Sequence, residues 1–197
     1  MKIFYALIVL LGVLPYLISA QNILVNPYLQ DAEPESIKIM WETNGGTAHT
    51  IEWGLAQNDL NQTTAATSIS SQGSNLIHIA QVSDLSPNTR YYFRALSDNQ
   101  SSTVFDFITP PNKSSDQSFN LIAMSDMQRD GSNPNVFGDL VSDGIIPYLE
   151  QQYNTDLPAN LGFVMIPGDL VVTGNTYSQW KNHFFDPAQE LFSRVPV

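Results

Sequence analysis

The hydrophobic pattern changes period near residue 110, and that change constrains the fold more than any other feature of the chain. Before it, apolar residues come in short alternating bursts. After it, they come in short continuous runs, each stopping at an aspartate. Ser36-Ile37-Lys38-Ile39-Met40-Trp41-Glu42 alternates in the manner of a half-buried strand, with Ile37, Ile39 and Trp41 on one face. Thr50–Trp53, Leu76–Ala80, Arg90–Ala95 and Ser102–Ile108 read as further strands, and Asn44-Gly45-Gly46 as the turn after the first. No helical period interrupts them. Short strands at this spacing predict an all-β sandwich over residues 21–110.

Thr109–Ser118 is rich in Pro, Ser and Asn and reads as a linker, with 111–118 free of any element. Phe119–Met124 and Leu161–Ile166 are then nearly continuous apolar runs, which suit strands buried on both faces of a parallel sheet. Between them, Ser132-Asn133-Pro134 reads as a helix start. Phe137, Leu140, Val141 and Leu149 follow at helical spacing, with a break expected near Gly144, and Asn154–Asn160 reads as a loop. A strand–helix–strand crossover of this kind is right-handed, with its strands parallel. Asp186-Pro187-Ala188-Gln189 opens a second helix with a capping-box-like pair. Arg194–Val197 looks like the lead into a third strand, so the chain is expected to be part of a longer protein, with region 119–197 the start of an α/β domain.

The two apolar runs of this second region deliver Asp126 and Asp169 to the same edge of the sheet. Ligands of open parallel sheets gather beyond the carboxyl ends of the strands. Two carboxylates held close stay ionised only at a cost unless a cation lies between them, and hard oxygen ligands suit divalent metals such as Mn, Fe or Zn. Taken alone, the same pair also reads as turn or helix-capping aspartates, and that alternative stays open.

Composition narrows the function classes. Eight Lys and Arg against 19 Asp and Glu give a net charge of -11, which argues against nucleic acid and against an anionic membrane surface. The absence of Cys removes disulfides, thiolate metal sites and cysteine nucleophiles. Met1–Ala20 has one Lys, an apolar run and a small-residue end, and reads as a secretory signal cut after Ala20, an uncleaved anchor being the alternative. The mature protein is therefore expected to be secreted or periplasmic, with no membrane association after cleavage.

Several of these segments resemble known families. Leu85-Ser86-Pro87-Asn88-Thr89-Arg90-Tyr91 resembles the corner before a late strand of a fibronectin type III domain. The resemblance implies that Leu85 is core, that Pro87 and Asn88 turn the chain, and that Tyr91 ties its hydroxyl to backbone. Asn26-Pro27-Tyr28-Leu29-Gln30, followed by Trp41-Glu42-Thr43, is similar to the sandwich that precedes the catalytic domain of purple acid phosphatases. Ser125-Asp126-Met127-Gln128 and Pro167-Gly168-Asp169-Leu170-Val171 resemble the first two blocks of calcineurin-like metallophosphoesterases.

The fold so implied is two domains, a fibronectin type III-like sandwich followed by the first βαβ part of a metallophosphoesterase α/β sandwich. The activity implied is hydrolysis of a phosphate-ester substrate by a metal-bound hydroxide at a dinuclear site of divalent or trivalent ions. Asp126 would bind the first metal and Asp169 would bridge both. Gln128 stands where the family usually has His, and Gly168 would let the backbone turn beneath the metal. Val172 occupies the position of the family's tyrosine ligand, so the purple iron–tyrosinate centre is not implied. The Gly-Asn-His-Asp/Glu block and the later histidines are not in this sequence, so no catalytic residue is assigned and the chain alone is expected to be inactive. His78 and His183 are expected to be structural, and Asn175 a turn residue. The other function class is a non-catalytic extracellular binding or adhesion module carrying a degenerate phosphoesterase region.

Overall fold

The computed structural model describes residues 22–129 and 131–197, so the signal expected over Met1–Ala20 lies outside the described residues. Nine strands build a sandwich of two antiparallel sheets. The first runs in the order β1 (Ile23–Glu33), β2 (Ser36–Thr43), β6 (Leu76–Val82), β5 (Thr67–Ser70). The second runs β4 (Gln62–Ala65), β3 (His49–Gly54), β7 (Arg90–Ser97), β8 (Gln100–Ser101), and β9 (Phe105–Ile108) shares the far edge of β7 with β8. The inward residues alternate as the sequence predicts: Ile37, Ile39 and Trp41 are buried, and Phe93, Ala95 and Phe107 face them from the second sheet.

The corner behaves as its resemblance implies. Leu85 is in the core, Asn88 takes a left-handed φ of 49°, and the Tyr91 hydroxyl accepts the Ser86 N–H at 2.9 Å. The pattern does not announce the two short, mostly polar strands β4 and β5, nor the long first strand. Asn26-Pro27 breaks its alternation, and its pairing with β2 shifts register between Val25 and Tyr28.

Two short strands follow, β10 (Leu121–Ala123) and β11 (Phe163–Met165), paired in parallel with Leu121 opposite Phe163. The expected strand–helix–strand order is present. Burial on both faces is not: Leu121, Ala123 and Met165 are exposed, because among the described residues nothing packs on that side of the two-stranded sheet.

The connecting helix departs from the reading in three places. It starts at Val136 instead of near Pro134, as α1 (Val136–Asp139). It does not break at Gly144 but passes through a π-helical turn, Leu140–Ile145, into α2 (Ile146–Gln152), and Pro147, which has no N–H to give to the ladder, falls just past the join. The loop expected at 154–160 ends in a turn of helix, α3 (Leu157–Asn160).

After β11 come α4 (Tyr177–Gln179), a second π-helical turn, Trp180–Phe185, and α5 (Gln189–Phe192). The capping box expected at Asp186 does not form. Ala188 is the N-cap, and the Asp186 carboxylate accepts from Lys181 Nζ at 2.6 Å instead. At the chain's end Val164 N–H donates to the Pro196 carbonyl at 2.7 Å, so 195–197 runs beside β11.

The helical region rests on the outer face of β1. Val25 and Tyr28 belong to one apolar cluster with Phe184, Leu191, Phe192 and Val195, and the Tyr28 and Phe185 rings lie 4.8 Å apart. Ionic contacts fasten the same seam. The Arg90 guanidinium grips both oxygens of Asp156, at 2.7 and 2.6 Å, and also bonds Asp106. Asp106 in turn accepts from Arg194 at 3.0 Å.

Candidate metal site at the strand ends

Backbone pairing continues past the two parallel strands and brings the expected residues together. Met124 N–H donates to the Met165 carbonyl at 3.0 Å, Asp126 N–H to the Gly168 carbonyl at 3.3 Å, and Gln128 N–H to the Asp169 carbonyl at 2.9 Å. The Ser125 hydroxyl adds a contact to the Gly168 carbonyl at 3.4 Å. These bonds lock loop 125–128 against loop 168–169, so the carboxylate-bearing residues of both loops sit at the carboxyl edge of the sheet.

Both aspartates take left-handed backbone, with φ of 60° at Asp126 and 50° at Asp169. Asp tolerates this region better than most residues, yet it is sparsely populated, and such conformations concentrate at turns and functional sites. Gly168, expected to supply the tight turn, does not. It is not among the positive-φ residues, and a Cβ there would meet nothing within 4 Å. The turn is made by Asp169 itself.

Asp126 and Asp169 are exposed, and Gln128 is half-buried. Gln128 Oε1 is buried without a hydrogen-bond partner. A desolvated amide oxygen with no donor costs roughly 1–3 kcal/mol, a cost that a cation or a donor at that oxygen would offset. Two carboxylates and one amide oxygen form a hard, all-oxygen donor set, which fits a divalent ion. Among the described residues no group of three or more His, Cys, Asp or Glu gathers in a way that could hold a metal ion.

A cavity of about 340 Å³ lies beside this loop, lined by Met127 and Arg129, the two neighbours of Gln128, and by Asn135, Asn182 and His183. An Arg129 N–H reaches His183 Nε2 at 3.3 Å. Guanidinium can only donate, so Nε2 is the acceptor and the ring proton sits on Nδ1, which is buried without a partner. The sequence gives no reason to pair Arg129 with His183, because 54 residues separate them. Asn175 lies in an exposed turn, and Val172 is exposed.

His78 is fully buried in the sandwich and held by two hydroxyls, consistent with a structural role. Its ring stacks on His49 at 3.7 Å, a partnership that the sequence does not reveal. Burial and the neighbouring His49 charge push its pKa from 6.5 down to about 4.

Residues 24–109 match the family model described as the purple acid phosphatase N-terminal domain. No curated protein matches the chain by sequence. Among solved structures, PhoD is 15% identical with a TM-score of 0.55; the match covers 89% of this chain and 38% of that one, so the chain spans well under half of PhoD. At that identity the likeness is one of fold. The sensor domain of the anti-sigma factor RsgI4 of Pseudobacteroides cellulosolvens is 24% identical over 51% of this chain and 100% of that one, with a TM-score of 0.39.

Proposed function

We propose, from a chain whose residues 24–109 carry the purple acid phosphatase N-terminal domain, that the protein is the N-terminal part of a secreted metal-dependent phosphoesterase. In this reading residues 21–110 form the sandwich domain, 111–118 the linker and 119–197 the start of the catalytic domain. The observation that carries it is the pair of left-handed aspartates on hydrogen-bonded loops at the ends of adjacent parallel strands, beside the unpartnered Gln128 oxygen.

Asp126, Gln128 and Asp169 would hold the metal. A bound divalent or trivalent ion would supply charge neutralisation at phosphate oxygens and lower the pKa of water. The chain's own residues do the positioning. The Gln128 N–H fixes the Asp169 loop, the Asp126 N–H fixes the Gly168 carbonyl, and the two carboxylates face solvent where an ester can arrive. The Arg129 guanidinium lines the adjacent cavity and offers N–H donors to an anionic phosphate.

Mn²⁺ titration followed by electron paramagnetic resonance tests this directly. Saturable binding by the wild type, weakened at least about tenfold in Asp169→Asn and in Asp126→Asn, is the expected result, since each substitution removes one anionic ligand. Equal Mn²⁺ uptake by wild type and both variants would refute the assignment. Hydrolysis of p-nitrophenyl phosphate by a chain extended past Val197, lost on Asp169→Asn, separates an enzyme from a binding module.

A further inference from the structure

A second cavity, of about 280 Å³, lies at the seam between the sandwich and the helical region. None of Asp126, Gln128 and Asp169 lines it. Its floor is the outer face of the first sheet, with Val25 and Tyr28 on β1, Glu42 on β2 and Ile77 on β6. Its far wall is Tyr177, Trp180 and Phe185. Volumes of this size, near the lower end of small-molecule pockets, exceed the roughly 30 Å³ share of one water many times over.

One group in this mostly apolar space is out of keeping with it. Glu42 is only 5% exposed, and a buried carboxylate needs partners for both oxygens. Oε2 accepts from the Tyr177 hydroxyl at 3.0 Å. Tyr177 is committed there, since its own oxygen is hydrogen-bonded by Asn75. Oε1 has no partner. Lys181, also on the wall, turns its ammonium to Asp186 at 2.6 Å and makes no bond to Oε1. The Trp180 indole N–H is spent on the Gly174 carbonyl at 2.7 Å. Glu42 is therefore the one acidic residue lining a cavity otherwise walled by Tyr28, Tyr177, Trp180 and Phe185, and one of its carboxylate oxygens is buried beneath that wall without a partner.

Aromatic walls favour organic cations through their ring faces, and a lone carboxylate oxygen asks for a charged N–H donor. We propose that this seam cavity binds a small organic ammonium that carries at least one N–H and an apolar body. The N–H meets Glu42 Oε1 and the body packs against the aromatic wall and Ile77. A neutral alcohol of the same shape loses the charge-assisted bond. A quaternary ammonium keeps the ring attraction but cannot donate.

The test compares benzylammonium, benzyl alcohol and benzyltrimethylammonium as probes at pH 7, read by the fluorescence of Trp180 and by ligand-observed NMR. Benzylammonium is expected to bind saturably, with the other two at least about tenfold weaker, the value of a hydrogen bond to a charged partner. Glu42→Gln should erase the preference for the amine. If that variant fails to fold, Ile77→Phe, which narrows the cavity from its β6 side, should abolish binding of all three probes while the far-UV circular dichroism is kept. Equal affinity for amine and alcohol, or binding untouched by Ile77→Phe, would overturn the proposal. The proposal does not rest on the metal site, because Asp169→Asn should leave benzylammonium binding unchanged.

Discussion

Acidification should destabilise the sandwich through one side chain, His78. The Thr43 hydroxyl donates to the Gly45 carbonyl at 2.6 Å, so its oxygen is left to accept from His78 Nε2–H at 2.8 Å. Nδ1 must then accept the Ser68 hydroxyl, also at 2.8 Å. The neutral ring is fully satisfied. Protonation adds a charge in a place without water and against the stacked His49 ring.

The folded pKa of about 4 lies below the unfolded 6.5, so in the interval between them the unfolded chain binds more protons than the folded one. Stability from this group is complete above pH 6.5 and is lost as pH falls through 4. At 1.36 kcal/mol per unit the loss is about 3 kcal/mol. His78→Gln supplies the reference, because its amide N–H and C=O repeat the donor–acceptor order that Thr43 and Ser68 meet, without titrating. Urea unfolding of both proteins at intervals from pH 7.5 to pH 3.5 gives the difference in stability. That difference should shrink by about 3 kcal/mol on acidification and flatten near the lower end. Parallel curves, or a His78 ring-proton NMR titration centred near pH 6.5, would refute the reasoning.

Other outcomes follow from single contacts. Tyr91→Phe leaves the Ser86 N–H without its acceptor and should cost about 1–2 kcal/mol by urea unfolding at unchanged m-value. Asp106→Ala strips the carboxylate that Arg90 and Arg194 share at the seam; about 1–3 kcal/mol should be lost, with hydrogen exchange rising first over α5 and 194–197. Tyr28 and Tyr177 are both pushed up to about 12, with burial as the leading cause and the Glu42 charge adding to it. Spectrophotometric titration near 295 nm should therefore find two tyrosines still protonated at pH 11. Stability should fall as pH rises from 10 to 12, because there the folded state holds protons that the unfolded chain has released.

The sequence by itself determined the parts whose cause is local. Alternation along Ser36–Glu42 depends on a period of two residues, and the Leu85–Tyr91 corner on a turn followed by one tyrosine. Both are written in a handful of neighbours, and both formed. Asp126 and Asp169 were legible for the same reason, as residues that end apolar runs. Their left-handed backbone was not, because the neighbouring glycine offered a simpler turn than the one the chain takes.

Only the tertiary structure decided the rest. Glu42 reads as a polar residue on a strand's solvent side, and it is buried because Tyr177, 135 residues away, closes over it. His49 and His78 become a stacked pair only when β3 and β6, in opposite sheets, face each other. β1 is buried on its second face by helices that begin more than a hundred residues later, so its broken alternation is the correct pattern for a strand covered on both sides. A pattern within one strand reports which face is covered, whereas the partner that covers it is fixed by packing between distant segments.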